Sequence, residues 1–442
     1  MWLWASIIDD MLFLVVDMQQ IDALGADTLN STRLYRTGLF HLTFAFVVCA
    51  VALDFLVPGV NFNIGNALLI VVLGALAVYS LGANGDGIHQ VRLLAHDWMY
   101  ILSIGVMLGS VAWSVSPSAS FAAAMPLLVV WLASIGLSSV TAEDAVRVVV
   151  IVAVVTAILS LIAIPVLGEL AFQPHSTTGQ PELRGIFRHQ LRLGSFMMLA
   201  IGLLVVAVAN GDLRRIFGRS RFLFPLCMFL LLFLLFLSRT RLYVAAGVFA
   251  IVLTLLLSRR GSKKWIALGL GSTAVLVMIS SISSLMTKLE AAGFDTGLTG
   301  RTRTWSRALG AITEDRQLLG HGFGTFELSM FDSLFPGEYR PIHAHSSFVQ
   351  AYFETGVVGL SVLILLILAQ VIAAWRFSVR CNRFSYSLFL VLYTAIGSAT
   401  GLNYAGSLSA MFCTMLLFLA IESRAKVTGV PHDRSAARLG SA

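Results

Sequence analysis

Apolar stretches of 16 to 28 residues alternate with short polar connectors along most of the chain. About 20 apolar residues in helical form cross the hydrocarbon core of a bilayer. The pattern predicts twelve spans, at 38–57, 64–82, 98–114, 120–139, 146–168, 191–210, 220–237, 242–257, 265–283, 347–374, 384–402 and 406–423. The first sixteen residues are apolar too, but Asp9 and Asp10 would sit near the middle of a span, so an interfacial helix is expected there. No basic stretch precedes them, which argues against a cleavable signal peptide. The expected layout is an N-terminal segment over 1–37, spans one to nine within 38–283, a large loop over 284–346, spans ten to twelve within 347–423, and a tail over 424–442.

Composition agrees with this reading. Of 442 residues, 57% are apolar and 12% charged, and the mean hydropathy is +0.86. A soluble domain carries about twice that charged fraction, and disorder needs low hydrophobicity with high charge. The expected fold class is an all-α polytopic membrane protein. The four cysteines lie in or beside apolar spans with neither disulfide nor metal-ligand spacing.

The basic residues set the expected orientation. With the N-terminus in the cytoplasm, 19 of the 30 Lys and Arg fall on the inner side. An even span count also returns the basic tail to that side. They are scattered in short connectors, a poor arrangement for a nucleic-acid partner. The other eleven concentrate in three outer segments: the 169–192 loop, the turn Ser238-Arg239-Thr240-Arg241, and the 284–346 loop. Any one of these arginines has an ordinary role open to it, in headgroup contact or a local ion pair. Their grouping on one face favours a shared anionic ligand, because guanidinium forks recognise phosphate and carboxylate oxygens.

A 63-residue connection such as 284–346 is usually functional or disordered. Its aromatic residues and helical periodicity argue for order. Thr299 is a candidate N-cap, and Trp305, Ala308, Leu309 and Ile312 form one apolar face. Arg301 stands in the first turn, where the helix dipole disfavours a cation unless an anion binds there. Gly320-His321-Gly322-Phe323-Gly324 has the look of a phosphate loop. No strand precedes it, so turn geometry explains its glycines as well. His343 and His345 close the loop. No third ligand stands near them in sequence, so a zinc site is not expected. A histidine at a membrane boundary suits proton transfer, or simply interfacial hydrogen bonding. Glu354, two turns into the tenth span, calls for an arginine or histidine partner. The outer segments lack an Asp-x-Asp, and the 58–63 loop has no acid, so metal-assisted transfer lacks its usual groups.

Four motif groups together resemble the O-antigen ligase/polymerase superfamily. His345-Ser346, nine residues, then Gly356-Val357-Val358-Gly359, with Glu354-Thr355-Gly356 inside, is similar to its His-[Asn/Ser/Gln]-x9-Gly-x-x-Gly signature. Gly300-Arg301 with Trp305 resembles its Gly-Arg-x-x-x-Trp. Arg184-Gly185-Ile186-Phe187-Arg188-His189 with Leu193-Gly194 resembles its Arg-Gly-x-Phe-x-His segment, although Gln190-Leu191 replaces the usual Lys-Asn. Ser238-Arg239-Thr240-Arg241 is similar to its Ser-x-Ser-Arg turn and nominates Arg241.

The resemblance implies a GT-C-like glycosyltransferase of the bacterial inner membrane, working on the periplasmic face without metal or cofactor. Its donor would be a glycan on undecaprenyl diphosphate, and its acceptor a growing glycan or lipid A–core. His345 is the expected base, Arg184, Arg241 and Arg301 the expected pyrophosphate ligands, and His189, Trp305, Glu354 and Gly356 their support. Thr299-Gly300-Arg301-Thr302 with Trp305 favours the polymerase branch, with the ligase as the alternative. A transporter or lipid-oligosaccharide flippase fits less well, because the charges cluster at outer helix ends and not at the midplane.

Overall fold

A computed structural model of the chain describes residues 74–75, 98–138, 140–174, 180–220, 222–258, 301–334, 343–399, 401 and 409–428. The expected spans at 38–57 and 265–283 lie outside the described residues, as does all of 64–82 except 74–75. Eleven α-helices follow in order among the described residues: α1 (Trp98–Gly109), α2 (Pro117–Leu137), α3 (Ala142–Leu167), α4 (Gln190–Asn210), the short α5 (Leu213–Phe217), α6 (Leu223–Leu237), α7 (Arg241–Leu257), α8 (Arg301–Gly310), α9 (Ser347–Cys381), α10 (Tyr386–Ser398) and α11 (Ala410–Thr428). Four helical stretches are long and apolar enough to cross a membrane: Pro117–Leu137, Ala142–Ala171, Gln190–Asn210 and Ser347–Cys381. The apolar helices at 98–112, 223–237, 241–257 and 386–398 are shorter.

The all-α expectation needs one correction. The 169–192 connection contains a small antiparallel hairpin, β1 (Phe172–Pro174) with β2 (Pro181–Leu183), in the register Phe172↔Leu183, Gln173↔Glu182, Pro174↔Pro181. Strands of three residues are too short to leave a periodic signal in sequence.

α4 is the hub. α3, α6, α7 and α10 all pack on it, and most of its residues are buried. α9 lies against α1 and α10, and α11 against α2 and α10. The outward faces are strongly apolar: Phe229 and Phe236 on α6 are 67% and 78% exposed. That is costly in water and costs little against lipid tails.

Helix starts follow local chemistry. Thr141 caps α3 by accepting the Asp144 amide (3.2 Å), with Glu143 and Asp144 in the positive first turn. Ser385 caps α10 through the Leu388 amide (2.9 Å). At this end of the bundle a polar network ties three elements together. The Arg383 guanidinium bridges Glu143 (3.1 Å) and Asp212. Arg215 also reaches Glu143 (3.1 Å), Tyr386 donates its hydroxyl to Asp212 (2.8 Å), and the Asn210 amide pairs with both backbone groups of Phe384 (2.9 Å each). The start of α3, the end of α4 and the α9–α10 turn are thereby fixed at one end. The described residues of the 167–174, 180–192, 238–243 and 343–347 segments gather at the other.

Breaking such a buried network by removing one member is expensive, because the carboxylates are left uncompensated. Arg383→Leu is therefore expected to lower stability by about 3–5 kcal/mol. Denaturation of the detergent-solubilised variant beside the wild-type protein measures this; a loss under 1 kcal/mol contradicts it.

Candidate active site

The site is built around a break in α9. Gly356 leaves helical geometry at φ 62°, ψ −161°. Among the groups that would pair across such a break are the amides of Val357 and Val358 and the carbonyls of Phe353 and Glu354. The 317–322 segment supplies all four partners. Val357 donates to the Gln317 carbonyl (2.9 Å) and Val358 to that of Leu318 (3.2 Å). The His321 and Gly322 amides donate to Phe353 (3.1 Å) and Glu354 (2.7 Å). A Cβ at Gly356 would overlap the Leu318 carbonyl, so close approach and positive φ both require glycine there.

The α1–α2 connector grips the same loop. Trp113 donates its indole N–H to Leu319 (2.7 Å), Val115 its amide to His321 (2.9 Å), and Phe323 its amide to Ser110 Oγ (3.0 Å). The Gly320-His321-Gly322-Phe323-Gly324 motif is thus part of this plug, with positive φ at all three glycines. His321 stacks on Phe353 and its Nδ1 meets the Phe353 carbonyl (3.1 Å).

Outside the break, Ser346 caps the outer part of α9. Just before it lies the turn His343-Ala344-His345. His345 has φ 51°, a left-handed conformation that costs a non-glycine residue about 1–3 kcal/mol. The flanking peptides are pinned. The Trp305 indole N–H donates to the Ala344 carbonyl (2.7 Å), and the Ala344 amide donates to Gln350 Oε1 (3.1 Å). The two imidazoles meet edge to face, with centroids 4.3 Å apart. His343 Nδ1 is buried and has no hydrogen-bond partner.

α8 packs this turn through Ala308, and Ile312 just after the helix joins it with Phe326, Ala344, Phe353 and Val349 in a small apolar cluster. Leu309, expected on the same face, is 43% exposed. Glu354 is buried, and its Oε1 accepts from Gln350 Nε2 (2.9 Å) and the Phe326 amide (3.3 Å). It meets these groups in place of the expected arginine or histidine.

The third segment arrives at the head of α4. His189 is the N-cap, and its Nδ1 accepts the Leu191 amide (3.2 Å), which leaves the ring proton on Nε2. Before it, Arg184 donates from Nε to the Leu170 carbonyl (2.9 Å). One turn into α4, Gly194 admits the Thr240 side chain, which a Cβ would overlap, so the α6–α7 turn sits directly on this helix.

Electrostatics links the segments. Burial, then the charges of Arg192, His345, Arg184 and Arg301, push His189 down to about 4. Burial, His345 and Arg192 push His343 down to about 3. Burial and Arg301 push His345 down to about 4. Burial also lowers Arg301, while Tyr243 on α7 acts in the opposite sense. Three neutral imidazoles therefore stand within the field of three guanidinium groups. Among the described residues, no group of three His, Cys, Asp or Glu side chains could hold a metal ion.

Arg184, Arg301, His189 and His345 are thus brought into one neighbourhood, with Trp305, Glu354 and Gly356 in its framework. Arg241 is not tied to them in the same way. It is exposed at the first position of α7, and Tyr243 is the residue of that segment that acts on Arg301. Arg239, its neighbour, has φ 52° and donates to Gln180 beside the hairpin. Sequence reasoning missed Arg192, Gln350 and the pairing of His343 with His345. The signal for Arg192 was its place three residues after His189, on one helix face.

A family model described as O-antigen ligase matches residues 226–364. The matched stretch runs from α6 to the middle of α9 and contains Arg241, Arg301, Trp305, His345, Glu354 and Gly356; Arg184 and His189 lie before it. The match supports the resemblance to the O-antigen ligase/polymerase superfamily, and with it a membrane enzyme of the ligase or polymerase type. No curated protein matches the chain.

The lowered histidines give stability an acid limb. Unfolded, each imidazole takes up its proton near 6.5; folded, it resists until about 4, or about 3 for His343. Between these values the unfolded chain binds more protons, so stability falls as pH drops from 6.5 toward 4. A non-titrating ring, as in His343→Phe, is expected to lose less over this range than the wild-type protein. Melting temperatures at pH 7 and pH 4.5 make the comparison, and equal losses count against it.

Proposed function

Taking the O-antigen ligase domain as the premise, we propose that this chain transfers an undecaprenyl-diphosphate-linked glycan to a sugar hydroxyl, as a polysaccharide polymerase of twelve spans whose site faces the periplasm. The observation that carries the reading is the set of Arg184, Arg192 and Arg301 around His189 and His345, drawn from separate outer segments. So concentrated a positive field favours a polyanionic ligand, and a lipid pyrophosphate is one.

The proposed reaction is a single displacement. The acceptor oxygen attacks the anomeric carbon and its proton passes to the neutral His345 imidazole. The bond from that carbon to the phosphate oxygen breaks, and the pyrophosphate leaves with the electron pair. Arg184, Arg301 and Arg241 stabilise the charge that develops on the leaving group, as preorganised cations do. Attack opposite the leaving group inverts the anomeric centre. A bound pyrophosphate would offset the Arg301 charge and raise the basicity of His345, bringing base and donor into register.

The ligase reading has support in the description of the matched family model. There the acceptor hydroxyl belongs to lipid A–core, and the donor chemistry is unchanged. Purified protein with lipid-linked repeat units, with and without lipid A–core, separates the two readings by whether long glycan forms on the carrier lipid or on the core.

In that assay His345→Ala is expected to slow turnover by roughly 10²–10⁴-fold with little change in donor KM. Arg301→Ala is expected to raise donor KM as well as lower turnover. Near-normal turnover in well-folded His345→Ala removes the base assignment. His343→Ala is not an independent control, because its ring packs against His345. Activity is expected to persist in excess EDTA; loss that Mg²⁺ or Mn²⁺ restores contradicts charge stabilisation by arginine alone.

A further inference from the structure

The proposed base does not hold its own geometry. His345 lies in a left-handed backbone conformation at φ 51°. An L-residue adopts it only where the surroundings over-determine it. The peptide after Ala344 is held by Trp305 (2.7 Å) and the peptide before it by Gln350 (3.1 Å). Gln350 lies one turn into α9 and is 2% exposed. Its amide has both faces engaged: Oε1 accepts from Ala344, and Nε2 donates to Glu354 Oε1 (2.9 Å). The orientation is forced. A flipped amide would set NH₂ against the Ala344 N–H and oxygen against the carboxyl oxygen. Glu354 in turn is set by the Phe326 amide and by its place beside the break in α9. A chain of hydrogen bonds therefore runs from the plugged break to the turn that carries His345.

We propose that Gln350 is a positioning residue for His345: its side-chain amide, oriented by Glu354, locks the Ala344 peptide and so aims the imidazole. The inference rests on the reading of His345 as the group that takes the acceptor's proton. Glutamine suits the task because it offers an acceptor and a donor on one rigid plane. Methionine keeps the length and leaves the Ala344 amide without an acceptor. Glutamate sets a second carboxyl against Glu354.

The groups facing His345 are Arg301 on α8, His343 on its own turn and His189 at the head of α4, with Arg184 and Arg192 beyond. Burial, then the Arg301 charge, keeps the ring neutral down to about pH 4. A His345 released from the turn relaxes toward water and toward its ordinary value of 6.5.

The test uses the full-length protein in proteoliposomes with lipid-linked repeat units as donor. kcat, donor KM and the pH dependence of kcat/KM are measured for the wild-type protein, Gln350→Met, Trp305→Phe and His345→Ala. The expected result for Gln350→Met is a kcat lower by about 10- to 100-fold, the cost of a misplaced catalytic group. Donor KM stays within about two-fold, and the acid limb of kcat/KM moves up by about one pH unit or more. Trp305→Phe, which frees the other peptide, moves the limb the same way. A variant that is only unstable loses active protein without moving the limb, so a lower kcat with an unmoved limb overturns the proposal. Unchanged kcat and limb in Gln350→Met overturn it too. Normal turnover in His345→Ala brings down the base reading itself, an outcome distinct from either.

Discussion

Backbone hydrogen bonding in apolar surroundings is the constraint on which the rest of this structure depends. A helix interrupted inside a membrane protein exposes polar groups that lipid cannot satisfy, each at a cost of several kcal/mol. α9 is interrupted at Gly356, and the 317–322 segment pairs with the Val357 and Val358 amides and the Phe353 and Glu354 carbonyls beside the break. The α1–α2 connector then holds that segment through Trp113, Val115 and Ser110. Breaking the helix thus couples the large loop, the first described helices and the outer end of α9. Apolar packing alone would let these parts slide.

The N-terminal end of α9 carries the candidate site because of this coupling. Ser346 opens the helix, and the turn before it presents two imidazoles in contact. α8 covers the turn and brings Arg301 and Trp305; the head of α4 brings His189 and Arg192. The charges of Arg184, Arg192 and Arg301 act there on buried, neutral histidines. The opposite end of the bundle shows the contrast. There Arg383 and Arg215 are matched by Glu143 and Asp212, and that cluster holds helix ends together. The two ends share arginine chemistry: one cluster ties helix ends together, and the other surrounds imidazoles.

Much of the helical architecture was legible in the chain, because an apolar run longer than sixteen residues has few stable options besides a helix. From 98 to 257 and from 347 to 423, the expected spans fall on described helices with ends shifted by a few residues. The motif residues were legible as well: Arg184, His189, Arg301, Trp305, His345, Glu354 and Gly356 each stand in or beside the candidate site. What those residues touch was not legible. Hydropathy reports that a stretch avoids water, and it does not separate protein neighbours from lipid ones. The Glu354 partner was expected to be a cation and is an amide. Leu309 was expected inside and lies at the surface.

The sequence by itself determined the helical class and the crowding of arginine into three segments, which depend on local composition. It nominated His345 as candidate base through the resemblance to a family signature. Only the tertiary structure decided that α9 is broken and plugged, that His343 packs on His345, that Gln350 holds their turn, and that Arg192 joins the cluster while Arg241 stands at its margin. These facts rest on hydrogen bonds and fields between residues far apart in sequence, such as Trp113 and Leu319 or Trp305 and Ala344. No period or motif in the chain encodes such pairs, because geometry forms them only after the helices have packed.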